Sequence, residues 1–402
     1  MYIKRTLSKV IKEASETFPV VLITGPRQVG KTTIFERSKE SSRLYVTLDD
    51  PQVRALAKND PHLFLQTYKA PLLIDEIQYA PELFPYIKMA VDKVRQKGMF
   101  WLTGSQQFSL MTNVAESLAG RVAILELQGL SQAEISKRNC KPFLPDTLTW
   151  DNRTSLDVHA LYEILLRGSY PELHANPKLN HRLFYASYLK TYIERDIRQL
   201  IQISDERRFI TFVKTAAART GCLLNYNDMA KEVEVSVNTI KSWVSVLETS
   251  GLIFLLPPYH NNIANRALKT PKLYFADTGL CCYLCGWETA KTLANGAMNG
   301  AMLETYVIAE IIKSYKHNGL YANVYFYRDR DKKEIDLLIE RNGFFYPVEI
   351  KRSASPKIDD VKHFNLLSRI GLPVGKGALI CLYDQLIPLD NETLIVPVSY
   401  LG

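Results

Sequence analysis

Short, unbroken apolar runs recur through the first third of the chain. "VVLIT" stops at Gly25, "LLI" at Asp75-Glu76 and "FWLT" at Gly104. Each is too short for a buried helix, and the residues after each carry apolar positions at helical spacing. "RLYVTLDDPQVRALAKNDPHLFL" repeats the pattern of strand running into helix. Alternation of this kind predicts a doubly wound parallel sheet over residues 1–155. The opening "MYIKRTLSKVIKEASETF" reads as an amphipathic first helix. After the proline-rich and polar stretch "GLSQAEISKRNCKPFLPDTLTW" the period becomes helical, as in "HRLFYASYLKTYIERDIRQLIQI". "NYNDMAKEVEVSVNTIKSWVSVLETSGLIFLLPPY" then gives two short helices, Gly251 and an apolar strand. With "KLYFADTGL" as a returning strand, that order predicts a helical region with a winged helix over residues 156–270. A final α/β domain is expected over residues 271–402.

Composition narrows the class. Apolar residues make up 47% and charged residues 23% of the 402, a globular balance. No run reaches the roughly 18 apolar residues of a membrane span, so no membrane partner is expected. The basic start lacks an apolar core and a cleavage site, which argues against a secretory signal. Six cysteines in a chain of this size fit a reducing cytosol, and a cytoplasmic location is expected. Cys282 and Cys285 form a lone C-x-x-C without a second ligand pair, which favours buried apolar roles over zinc. The net charge of +8 is uneven. Thirteen Lys/Arg face eight Asp/Glu between Arg182 and Lys272, a balance compatible with DNA or branched nucleic acid.

The loop Gly25-Pro26-Arg27-Gln28-Val29-Gly30-Lys31-Thr32 fits G-x-x-x-x-G-K-[ST] between a strand and a helix, the setting that gives this motif its meaning. Gly25 and Gly30 let backbone N–H groups face phosphate oxygens, and the next helix adds its positive end. Lys31 supplies a charge for the β- and γ-phosphates, and Thr32 a hydroxyl for Mg²⁺; Thr33 joins the nucleotide-binding set. ATP with Mg²⁺ is the expected ligand pair. Asp75, ending an apolar strand, is placed to hold Mg²⁺ directly or through water. Glu76 is placed to polarise the attacking water, which argues for hydrolysis over binding alone. Thr103 or Ser105 is a candidate γ-phosphate sensor or else a helix cap. Arg121 either reaches a phosphate or is a surface arginine, and Asp49 or Asp50 should lie near the nucleotide edge. In the winged helix, Ser236, Asn238, Thr239 and Lys241 stand where such folds read DNA; protein contact or a spacer role is the alternative.

The stretch "EIDLLIERNGFFYPVEIK" predicts a hairpin whose two-residue turn is Asn342-Gly343. Arg341 then faces Phe344, and the same register sets Asp336 opposite Glu349 and Glu334 opposite Lys351. Ile335, Leu337, Val348 and Ile350 share the core face. Two opposed carboxylates repel, and a divalent cation between them removes that cost. Glu304, on an apolar helix side, also needs a partner. The alternative is a solvated charged face with a Glu334–Lys351 ion pair.

Glu304, Asp336 and Glu349-Ile350-Lys351 resemble the E…D…E-x-K core of the restriction-endonuclease-like, PD-(D/E)xK, fold. That resemblance implies that Glu304, Asp336 and Glu349 bind metal and that Lys351 is catalytic, activating water or stabilising the scissile phosphate. Almost end to end the chain is similar to AAA-type ATPases of bacteria and archaea whose C-terminal half is catalogued as a domain of unknown function with such a core. "GPRQVGKTT", "LIDEIQYAPELF", "LTGSQQF", "SLAGRV" and "YIERDI" carry the similarity. The expected architecture is a P-loop NTPase parallel sheet, a winged-helix region and a restriction-endonuclease-like domain. The expected activity is ATP hydrolysis directed at nucleic acid, with metal-dependent cleavage at the C-terminus. A signalling switch that binds a protein, or a DNA-binding regulator with an inert nuclease fold, is the alternative. Assembly into a homo-oligomer is left open, and no helicase-type motif is evident.

Overall fold

The computed structural model describes residues 2–104, 114, 116–150, 156–192, 206–260 and 269–401. Ser105 and most of the YIERDI stretch lie outside them. Helix α1 (Leu7–Thr17) leads into β1 (Val20–Thr24), followed by α2 (Lys31–Ser38), β2 (Leu44–Thr47), β3 (Leu72–Asp75), β4 (Phe100–Thr103) and β5 (Val122–Glu126). These five strands form one parallel sheet in the order β2-β3-β4-β1-β5. Val21, Ile23, Leu73 and Trp101 pack into one core, while Val20, Leu22, Leu72, Ile74, Phe100 and Leu102 pack into another. Burial on both faces explains why these strands read as continuous apolar runs. Insertion of β4 between β1 and β3 matters for the site, because the end of β4 then lies between the β1 loop and the acid that ends β3.

The middle region contains α3 (His181–Tyr192), α4 (Glu206–Ala218), β6 (Cys222–Leu223), α5 (Tyr226–Val233), α6 (Val237–Thr249), β7 (Ile253–Leu256) and β8 (Lys272–Phe275). Asn225 caps α5 and Ser236 caps α6, each accepting from N–H groups of the first turn. Ile240, Trp243, Val244 and Leu247 form the buried stripe of α6, and Trp243 meets Phe209 and Phe212 of α4 at 5.2 and 5.3 Å. Three antiparallel strands, in the order β6-β8-β7, cover these helices.

Beyond lie α7 (Asn299–Lys316), β9 (Val324–Arg328), β10 (Glu334–Arg341), β11 (Phe344–Ile350), β12 (Gly377–Cys381), β13 (Ile387–Pro388) and β14 (Thr393–Pro397). They build a mixed six-stranded sheet in the order β13-β14-β12-β11-β10-β9. The β10–β11 hairpin turns through Asn342 and Gly343, both at positive φ, and pairs Arg341 with Phe344 and Leu337 with Val348, the register set by the turn. Against β9 the register of β10 slips between Ile335 and Leu338. That bulge changes which residues share a face. Ile335 packs with Leu338 and Phe345, whereas Leu337 joins Ile339, Val348 and Ile350, so the expected single core face of Ile335 and Leu337 is split. Among the described residues no helix is long and apolar enough to cross a membrane.

Candidate functional site

The chain leaves β1 at the C-terminal edge of the first sheet and turns at once. At Gly25 a Cβ would stand 2.1 Å from the carbonyl oxygen of Leu127, so only glycine fits that close approach. Gly30 is the N-cap of α2. Lys31, 7% exposed, donates from Nζ to the carbonyls of Gly25 at 3.0 Å and Pro26 at 2.8 Å. Thr32 Oγ1 donates towards Asp75, lying 2.9 and 3.0 Å from its two carboxylate oxygens. These are the hard oxygen donors that Mg²⁺ prefers, so the residues present fit that ion.

Asp75 is buried and surrounded by hydroxyls. Besides Thr32 it accepts from Thr103 Oγ1 and, at 3.2 Å, from Tyr45 of β2. Burial pushes its carboxyl above the ordinary range, partly offset by the Thr103, Thr32 and Tyr45 hydrogen bonds, with the Glu76 charge adding to the rise. Burial and the same carboxylate push the Tyr45 phenol up to about 12, which keeps it a neutral donor. Glu76 adopts the left-handed conformation, φ 56° and ψ 47°. For a non-glycine residue this costs roughly 1–2 kcal/mol. The Glu76 N–H donates to Thr103 Oγ1 at 3.1 Å, so one hydroxyl serves the Asp75 carboxylate and the Glu76 backbone together. The Gln78 amide donates to the Glu76 carboxylate.

The loop, Thr33 and Glu76 line a cavity of about 430 Å³, closed on another side by Thr191 of α3 in the middle region. A second contact reaches the loop from that region. At Gly251, which follows α6, a Cβ would stand 2.7 Å from Pro26 Cγ. The N-terminal segment supplies a third. Arg5, 3% exposed, donates to Val29 O at 2.8 Å, Gln128 O at 2.7 Å and Glu134 at 3.1 Å, and its Nη2 lies 3.5 Å from His317 Nε2 just beyond α7.

Other expectations are relocated. Arg121 does not approach the cavity of its own chain. It sits beside Val20, at the opposite end of β1 from the loop, in a two-point ion pair with Asp92 at 2.6 and 3.1 Å. Asp50 caps the helix Pro51–Asn59 through Gln52 and Val53 N–H groups, a local duty that follows the end of β2. Thr103 stands on Asp75 and caps nothing described. Cys282 is buried and Cys285 half-buried in and just after the helix Thr278–Leu284.

In the C-terminal domain the expected residues come near one another but pair with protein groups. Asp336 accepts from the Ile350 N–H at 2.9 Å, and Glu349 pairs with Lys351 at 2.6 Å. Glu334 does not pair with Lys351. It takes Lys272 at 2.5 Å and Arg328 at 3.3 Å. Glu304 also takes Lys272, at 3.1 Å, and accepts from the Tyr274 hydroxyl. Burial, with Glu349 and Glu304 alongside, pushes the Asp336 carboxyl well above the usual range. Among the described residues no three His, Cys, Asp or Glu side chains converge so as to hold a metal ion. Two of the acids here, Glu304 and Glu334, already hold the Lys272 ammonium. Lys272 and Tyr274 escape sequence reasoning because a strand reading "KLYF" signals only burial. Tyr45 and Thr191 escape it because nothing local marks them.

Three family models match separate parts of the chain. Residues 17–136 match the AAA domain family, residues 158–291 a domain of unknown function (DUF8612) and residues 299–401 another domain of unknown function (DUF4143). Two relatives span nearly the whole chain: the uncharacterized proteins Rv2008c of Mycobacterium tuberculosis and Mb2031c of Mycobacterium bovis. Each is 29% identical over 403 residues, covering 99% of this chain and 84% of its own. Among solved structures, the Walker-type ATPase PABY2304 of Pyrococcus abyssi overlaps 69% of this chain and 94% of its own, at 15% identity and a TM-score of 0.45. The family match and the phosphate-loop geometry together give the N-terminal unit the character of a P-loop domain of AAA type.

Proposed function

We propose that this chain is a Mg²⁺-dependent ATP-hydrolysing switch whose nucleotide state is passed to the winged-helix region, which acts on nucleic acid. The observation that supports hydrolysis is the cluster Thr32, Asp75, Thr103 and Glu76 at one sheet edge. Gly25, Gly30, Lys31, Thr32 and Thr33 cradle the phosphates, and Thr32 with Asp75 would hold Mg²⁺. Bound there, the ion would screen phosphate charge. Glu76 is poised to orient water and take its proton, with its backbone fixed by Thr103. The cavity is walled by Thr191 and approached by Gly251 through Pro26, which supports transmission to the middle region. The first turn of α6 leaves Ser236, Asn238 and Lys241 exposed, which supports a nucleic-acid surface. The cationic partners of the C-terminal acids count against metal-dependent cleavage as part of this reading.

Phosphate release and binding of a fluorescent ATP analogue, compared between wild type and Glu76→Gln, test the core of the proposal. Hydrolysis should fall at least about a hundredfold while ATP binding persists. Equal loss of both would remove Glu76 from the chemistry. DNA affinity that is unaffected by salt, or by ATP, would remove the nucleic-acid arm.

A further inference from the structure

The acidic cluster of the C-terminal domain is filled by a side chain from the neighbouring sheet. Lys272 begins β8, is 5% exposed, and holds its Nζ over the Phe326 ring, 5.5 Å from the centroid. Its ammonium lies between Glu334 and Glu304, at 2.5 and 3.1 Å. Tyr274, two residues on and therefore on the same side of β8, donates to Glu304 as well. Arg328 supports Glu334, Lys351 supports Glu349, and the Ile350 N–H supports Asp336. Each of the four carboxylates thus has a protein donor.

The position of the ammonium is set by main chain and not by a flexible stem alone. β8 is the central strand of its sheet, paired with β6 and β7. The chain beyond β7 then docks on β9: Tyr259 N–H donates to Phe326 O at 2.7 Å, and Phe326 N–H to Pro257 O at 3.1 Å. Two backbone ladders therefore hold Lys272 over the acids.

We propose that Lys272 is the resident cation of this cluster and excludes divalent metal from it, so that the C-terminal domain is clamped to the winged-helix sheet and does not cleave. A hard divalent ion must draw several of these oxygens to within about 2.0–2.6 Å. To use Glu304 or Glu334 it must strip that carboxylate from an ammonium that is almost wholly buried. Leaving a buried charge unpaired is among the costliest changes a protein interior can suffer. The ammonium wins that competition. This inference is independent of the ATPase reading, since none of its residues touches the nucleotide cavity.

Mn²⁺ uptake by the nucleotide-free full-length chain, followed by electron paramagnetic resonance, tests it. Wild type and Asp336→Asn should take up Mn²⁺ equally. Lys272→Met, which keeps an apolar stem without the charge, should bind one further Mn²⁺ at least about tenfold more tightly than any wild-type site in this domain, because a unit positive charge a few ångströms away has gone. The double variant Lys272→Met/Asp336→Asn should lose it. Uptake by wild type that Asp336→Asn abolishes would overturn the proposal. If Lys272→Met does not fold, the comparison of wild type with Asp336→Asn still decides the matter. Unchanged ATP hydrolysis by Lys272→Met reports that the rest of the chain is intact.

Discussion

His317 offers the sharpest test of how the domains are joined. It follows α7, is wholly buried, and is faced by Glu134, Arg5, Lys313 and Lys316. Its Nδ1 lies 3.4 Å from Glu134 Oε2 without a hydrogen bond, and its Nε2 faces the Arg5 guanidinium. Burial holds the imidazole down at about 3, only partly opposed by Glu134 and reinforced by Arg5 and the two lysines. Burial alone would raise Glu134, but His317, Arg5 and the Thr6 and Ser131 N–H groups leave it at about 2. A neutral imidazole carries no charge, so at neutral pH the work on Glu134 falls to Arg5 and the two N–H groups. Because the folded-state value of His317 lies below its unfolded value of 6.5, the unfolded chain takes up the proton first. Stability is complete above about pH 7 and drains as pH falls from 6.5 towards 3. Proton linkage puts the loss at about 2 kcal/mol between pH 7.5 and pH 5, approaching about 5 kcal/mol near pH 3. Glu134 adds its own loss only below about 4.5, so the window from pH 7.5 to 5 isolates the histidine from it. Urea unfolding at those two pH values should show wild type losing about 2 kcal/mol more than His317→Gln. Parallel losses in the two proteins would mean that His317 is protonated in the fold and that the charge assignment of this junction is wrong.

Two further outcomes follow from the nucleotide edge. Thr103→Val removes the donor to Asp75 and the acceptor for the Glu76 N–H, so hydrolysis should fall on the order of tenfold or more in kcat while ATP affinity changes less; a steady-state phosphate assay with an ATP titration separates the two. Gly251→Ala forces a Cβ to 2.7 Å from Pro26 at φ 71°, so it should weaken ATP binding severalfold and cost about 1–2 kcal/mol of stability. Adding Pro26→Ala should recover part of the ATP affinity, measured by fluorescence of a bound ATP analogue; no change in either variant would break the proposed link between α6 and the loop.

What the sequence discloses is set by how local the cause is. The phosphate loop is legible because every residue answers a short-range demand: close approach at Gly25, a helix start at Gly30, a charge at Lys31, a hydroxyl at Thr32. The hairpin register is legible because Asn342-Gly343 admits few turns. The bulge in β10 is not, since it depends on pairing with β9 and not with β11. Arg121 shows the same limit from the other side. Its neighbours "SLAGRV" suggest a phosphate role, yet the end of the strand it occupies is fixed by the whole sheet. The pairing of Lys272 with Glu304, and of Arg5 with Glu134 and His317, spans 32 to 312 residues of chain. No periodicity records partners so far apart.

The loop itself shows why those distant pairings matter. Gly25 rests on Leu127, Pro26 meets Gly251, and Val29 accepts from Arg5, whose guanidinium also reaches Glu134 and faces His317. Proximity alone is not coupling, which requires an element that both ends can bias. Lys31 has that character: its ammonium is bound to the carbonyls of Gly25 and Pro26, and phosphate oxygens draw on the same donors. A phosphate that draws on Lys31 would take its ammonium from the Pro26 carbonyl, and Pro26 lies where a side chain on Gly251 would have to go. On the proposed coupling, the effect would reach the turn that ends α6, the helix whose other end carries Ser236, Asn238 and Lys241.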